Sequence, residues 1–187
     1  MQHRKLLNEE LNRLSTEEYR EAEKLPVVVV LDNVRSLNNI GSVFRTGDAF
    51  RIAKICLCGI TATPPHREIH KTALGAEESV EWQYFEETTD AVRELKEEGF
   101  TIVAVEQVEG SVSLERFSLV AGRKHAFVFG NEVKGVQQEV VDLSDCCVEL
   151  PQFGTKHSFN VAVTVGIVLW QALSPLIREK DQLVASK

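Results

Sequence analysis

The chain has 187 residues, of which 43% are hydrophobic and 26% charged, with a formal net charge of −7. This fits one soluble globular domain with a full core, and no apolar run reaches the roughly 18 residues that cross a bilayer. The N-terminal stretch MQHRKLLNEELNRL is charged throughout, which argues against a secretory signal and makes the cytoplasm the expected compartment.

Residues 1–24 are polar and helix-prone, with Leu6, Leu7, Leu11 and Leu14 in an apolar stripe, and are expected to form a helical extension to a domain spanning 25–187. Pro26 opens VVVVLD, whose run of β-branched residues predicts a strand buried on both faces. SLNNIGSVFRTGDAF follows, with Ile40, Val43, Phe44 and Phe50 at helical spacing, asparagines at its mouth and Arg45 on its surface. IAKICLC and VEWQYF predict further strands, separated by HREIHKTALGAEES. Thr88 or Thr89 is the expected cap of the helix DAVRELKEEG, and Gly99 ends it. TIVAVE and KHAFVFG are strands, GNEVKG a glycine-bounded loop, VQQEVVDL a short helix and CCVEL another strand. The loop PQFGTKH then leads into SFNVAVTVGIVLWQAL, a helix apolar almost all round, with Ser158 its expected N-cap and Asn160 in its first turn.

Strands alternating with helices predict an α/β domain with a largely parallel sheet flanked by helices. Ligands in such sheets bind beyond the carboxyl ends of the strands. That rule singles out three loops, DNVRSLNNIG, GNEVKG and PQFGTKHS, where asparagine, glycine, serine and charge are concentrated. The acids are elsewhere: residues 77–98 hold nine acids against Arg93 and Lys96, so the remaining chain is balanced. A solvated helix face is the expected role of that block. Cys56, Cys58, Cys146 and Cys147 lack C-x-x-C spacing and sit in apolar strand contexts, as reduced structural thiols do.

Several chemistries are excluded by spacing. Gly130 and Gly135 match the glycines of a phosphate-binding P-loop, but Val136 and Gln137 stand where Lys and Ser/Thr belong, and no G-x-G-x-x-G occurs. His66 and His70 are four apart, yet the pattern is not H-E-x-x-H and no third ligand is evident, so no metal site is expected. What the glycines of GNEVKG still allow is close backbone approach to a ligand, with Asn131 and Glu132 beside it, or a turn that Asn131 merely caps. Asn160 has two readings as well, a bond to a ligand or to neighbouring backbone.

Taken together, the three loops resemble the three motifs of the SpoU/TrmH RNA 2′-O-ribose methyltransferases. SLNNIGSVFRT is similar to the first, an Asn followed six residues later by an Arg; FVFGNEVKGV is similar to the second; LPQFGTKHSFNVAVTVGIVL is similar to the third, with Phe159 where Leu is usual. The resemblance implies a C-terminal trefoil knot, an S-adenosyl-L-methionine cofactor, an RNA substrate and a homodimer in which first-motif residues approach the other subunit's cofactor. It implies Arg45, Asn39, Glu132, Ser158 and Asn160 as the catalytic set. Gly130, Asn131, Glu132, Gly135, Leu150, Pro151, Ser158 and Asn160 are the implied cofactor-binding set. Because a guanidinium holds its proton, Arg45 is expected to act as a fixed cation, not a base, with Asn39 orienting it or the ribose and Glu132 pairing with it. The alternatives are a non-catalytic RNA- or cofactor-binding member of the same fold, and an enzyme of another nucleotide, which the missing Lys disfavours. Size alone leans toward tRNA over ribosomal RNA. The apolar final helix predicts burial in a subunit interface.

Overall fold

The computed structural model describes residues 4–120 and 122–185. Seven strands form one sheet: β1 (Leu25–Asp32), β2 (Ile52–Cys58), β3 (Trp82–Phe85), β4 (Phe100–Val105), β5 (Val112–Ser113), β6 (Lys124–Phe129) and β7 (Cys146–Glu149). Their order is β3-β2-β1-β6-β4-β7-β5, and every pairing is parallel. The alternation read from the sequence is thus met by an all-parallel α/β sheet.

The helices are α1 (Thr16–Glu21), α2 (Leu37–Phe50), α3 (Arg67–Ala73), α4 (Ala76–Ser79), α5 (Thr88–Glu97), α6 (Gln138–Leu143) and α7 (Val161–Ala185). Val27 through Leu31 are fully buried because both faces of β1 are covered. Val27, Val29 and Leu31 meet Phe44, Phe127 and Leu169 in one layer, which α2, α3 and α7 cover. Val28 and Val30 meet Ala126, Ala104, Leu95 and Val140 in the other, which α5 and α6 cover. The acid-rich α5 therefore lies on the sheet face opposite α2. At the crossing of α2 and α3, a Cβ on Gly41 would come within 2.3 Å of the Ile69 carbonyl oxygen, so only glycine lets the two backbones approach.

Several local expectations change. The leucine stripe does not form one helix: Asn8–Leu11 is a 3-10 turn, and Leu6, Leu7, Leu11 and Leu14 are exposed, while Tyr19 of α1 is buried. Residues 1–3 lie outside the described residues. Neither Thr88 nor Thr89 caps α5. Glu87 occupies that position without a side-chain bond, and the Thr88 hydroxyl donates to buried Asp32 at 2.6 Å. The final helix is not buried all round, since Val163, Ile167 and Trp170 form an exposed apolar strip at i, i+4 and i+7. The cysteines sit in β2 and β7 without disulfides, and burial raises each thiol's pKa.

Candidate active site

The strand order reverses at β1 and β6: the chain runs outward through β2 and β3, then crosses to β4 beyond β6. A cleft of 550 Å³ opens to one side of that point, at the carboxyl ends of β4, β6 and β7. Its walls are Glu106 and Gln107 after β4, Gly130 to Gly135 after β6, Leu150 and Gln152 after β7, and His157 to Thr164 at the start of α7. That volume suits a ligand of nucleoside size.

The loop after β6 is tied down at every residue type the sequence singled out. Asn131 is nearly buried; its side-chain amide donates to the Asn33 carbonyl at 2.7 Å, and its Oδ1 accepts from the N–H groups of Val133 and Lys134. Its backbone exchanges two hydrogen bonds with Gly135. Gly135 has φ +70°, and a Cβ on Gly130 would lie 2.1 Å from the Gly135 carbonyl carbon and the Val136 nitrogen. Both glycines are thus required for the turn to close, and Asn131 serves the turn's backbone, the simpler of its two readings.

Glu132 points the other way, to the mouth of α2. Its carboxylate accepts from the backbone N–H groups of Arg35 and Ser36, each at 3.1 Å, and from the Asn39 amide at 3.2 Å. Burial raises the pKa of this carboxyl, but the donors at Arg35, its own backbone, Ser36 and Asn39 outweigh it, and the net shift is below the usual carboxylate value. A negative charge at a helix N-terminus is favoured further by the peptide dipoles. The expected Glu132–Arg45 ion pair is not formed: the exposed Arg45 side chain makes no hydrogen bond or ion pair among the described residues and does not line the cleft. Two backbone N–H groups just before α2 hold Glu132 more firmly than one solvated guanidinium would.

Asn39 connects all three loops. Its amide nitrogen donates to Glu132, and its Oδ1 accepts from the Asn160 amide at 3.1 Å. Its side chain makes no bond to Arg45. Asn160 in turn accepts from the N–H groups of Ala162 and Val163 through Oδ1, at 2.9 and 3.3 Å. Asn160, not Ser158, caps α7, which begins one residue later at Val161. Ser158 is exposed on the cleft wall, Leu150 is part of that wall, and Pro151 stands exposed beside it.

Two carboxylates beyond the expected set complete the framework. Asp32, fully buried at the end of β1, accepts from Thr88, from the Gln137 side chain and from the Gln137 N–H. Glu106, just after β4, accepts from the N–H groups of Gln107 and Val136 at 2.9 and 2.8 Å. Each is an acid closing an otherwise apolar strand, VVVVLD or TIVAVE. That pattern is a usable signal, because a buried carboxylate demands N–H donors from adjoining loops.

Comparison with known proteins agrees with this geometry. Residues 26–170 match the model of the SpoU rRNA Methylase family. The chain is 31% identical to a 23S rRNA (guanosine-2′-O-)-methyltransferase of Neisseria meningitidis, over 77% of this chain and 56% of that protein. It is 29% identical to a tRNA (guanosine(18)-2′-O)-methyltransferase of Aquifex aeolicus, over 89% of this chain and 77% of that one. An AdoMet-bound rRNA methyltransferase from Sinorhizobium meliloti superposes with a TM-score of 0.76 at 28% identity, over 84% of this chain and 60% of that structure. The chain spans just over half the length of the Neisseria relative. With a cleft at the carboxyl ends of its strands, three interlocked loops and a match over most of its length, the chain belongs to the SpoU rRNA methylase family.

Proposed function

We propose that the protein is an S-adenosyl-L-methionine-dependent methyltransferase acting on a ribose 2′-OH of structured RNA. The observation that carries this reading is the Glu132–Asn39–Asn160 chain, which joins three family-like loops at the rim of one cleft. The cleft fits the cofactor, with a tight backbone turn at Gly130 and Gly135 and a polar rim. When bound, the cofactor supplies a methyl group activated by a sulfonium. Gly130, Asn131, Gly135, Leu150, Pro151 and Ser158 would hold it. Glu132, Asn39 and Asn160 keep the α2 and α7 mouths in register around it. Arg45 would bind an RNA phosphate and stabilise charge developing on the ribose oxygen.

Arg45 lies outside the cleft of its own chain, so the reading requires a homodimer that brings it to a partner's cleft. The exposed strip Val163, Ile167 and Trp170, on a helix packed against α2, supports such an interface. The position of β7, inserted between β4 and β5 instead of added at an edge, supports a knotted C-terminal segment. Residues 25–187 would be the catalytic domain, and residues 1–24 an extension.

The substrate reading is a guanosine of tRNA. Both named relatives act on guanosine, and the chain spans more of the tRNA relative's length than of the rRNA relative's. Acid-rich α5, on the far sheet face, leaves the α2 side for phosphates. Mapping 2′-O-methylation in tRNA and rRNA from cells with and without the protein tests this, with a mark lost from one tRNA guanosine expected. In vitro, Arg45→Ala is expected to abolish methyl transfer while leaving S-adenosylhomocysteine binding within twofold. Wild-type turnover by that variant would refute the role. A folded, cofactor-binding protein that methylates no RNA would favour the non-catalytic alternative.

A further inference from the structure

A second polar cluster lies at the β3 edge of the sheet, away from the cleft. His70 is in the last turn of α3; Leu74 at φ 55° and Gly75 at φ 91° then fold the chain back, so that α4 presents Glu77 and Glu78 to the same point. Ligand-type atoms of His70, Glu77 and Glu78 all lie within 4.8 Å of one another. They border a hollow of 460 Å³ floored by Trp82.

An ion pair does not account for this arrangement. His70 Nδ1 lies 2.5 Å from Glu77 Oε1, which satisfies one oxygen of the carboxylate. The Glu77 side chain is only 8% exposed, and its Oε2 is buried with no hydrogen-bond partner among the described residues. A buried carboxylate oxygen without a donor is costly. A cation bound between the three side chains would satisfy it.

Among the residues bordering the hollow, Glu77 and Glu78 bring two negative charges against Arg67, and Arg20 donates to the Glu78 carbonyl nearby. Zinc bonds of about 2.0–2.2 Å hold tetrahedral ligand atoms about 3.4 Å apart. The present spread therefore needs one shift of the imidazole that closes the widest separation by up to about 1.4 Å and opens the 2.5 Å His70–Glu77 contact to admit the ion. The His70 side chain, 63% exposed, is free to make it.

We propose that His70, Glu77 and Glu78 form a binding site for a divalent metal ion of the zinc class, with water in the remaining position. The ion clamps the elbow between α3 and α4. That elbow reaches the candidate active site mechanically, because Thr72 of α3 donates to the Asn38 carbonyl in the first turn of α2. The proposal is independent of the methyl-transfer reading.

Titration calorimetry with Zn²⁺ alone, on chelator-treated full-length protein in a non-thiol reductant, tests it. One equivalent is expected to bind the wild type, with affinity reduced at least tenfold in His70→Ala and in Glu78→Gln, both exposed positions whose loss the fold tolerates. Glu77→Gln is expected to abolish binding. Binding of equal strength in wild type and the exposed-site variants overturns the proposal, as does no binding by the wild type, which leaves only a His70–Glu77 ion pair.

Discussion

The two loops that face each other across the cleft are built on opposite principles. The loop after β6, residues 130–135, is closed by reciprocal backbone bonds, by the Asn131 side chain and by two glycines in close approach. The loop after β7, residues 151–159, has one internal bond, Gln152 to the His157 carbonyl at 3.5 Å, and leaves Phe153 98% exposed. One wall is in place before any ligand arrives. The other is held chiefly at its end, where Asn160 caps α7 and reaches Asn39. Ordering the second wall draws on binding energy, from a ligand or from a second copy of the chain.

The largest contrast is expected from paired glycine substitutions. Gly130→Ala drives a Cβ into the backbone of Gly135 and Val136. Its expected cost is about 3 kcal/mol by urea denaturation, with S-adenosylhomocysteine binding lost in calorimetry. Gly154→Ala, by contrast, meets nothing within 4 Å. It closes the series, with a change within about 0.5 kcal/mol. If the two cost the same, the walls do not differ as described.

Between those extremes, Asn131→Ala strands the Asn33 carbonyl and two N–H groups. A loss of about 2 kcal/mol is expected from such unsatisfied groups, and hydrogen exchange should accelerate at Val133 and Lys134. Glu132→Gln keeps the shape but removes the charge at the mouth of α2, at an expected cost of about 1 kcal/mol near neutral pH. Because the folded-state pKa of Glu132 lies below its ordinary 4.5, its contribution is fully present above that value and is lost as pH falls through the depressed one. Denaturation midpoints of wild type and Glu132→Gln should therefore converge in acid. Midpoints that stay parallel down to low pH would contradict the capping role.

Much of this was legible beforehand. Buried β-branched runs such as VVVVLD form parallel strands wherever they occur, since only a covered sheet buries both faces. The glycines of GNEVKG and the three loops beyond strand ends were likewise visible from local chemistry. Partners were not. Glu132 read as a mate for Arg45 and Ser158 as a cap, because the sequence shows which groups bond but not which donors lie within 3.5 Å. Glu132 meets Arg35 and Ser36 some 96 residues away in the chain, and Asn160 meets Asn39 across 121.

Sequence by itself determined the layers, the strands and the loops that hold the polar residues, since these follow from propensity and periodicity acting over a few residues. Only the tertiary structure decided which polar groups answer one another. It turned Glu132 toward a helix mouth, made Asn39 the link between two loops and, among the described residues, left Arg45 without a partner and set Glu77 against His70 with one oxygen unanswered. The physical reason is that hydrogen bonds are satisfied by proximity in space, which the order of strands in the sheet controls.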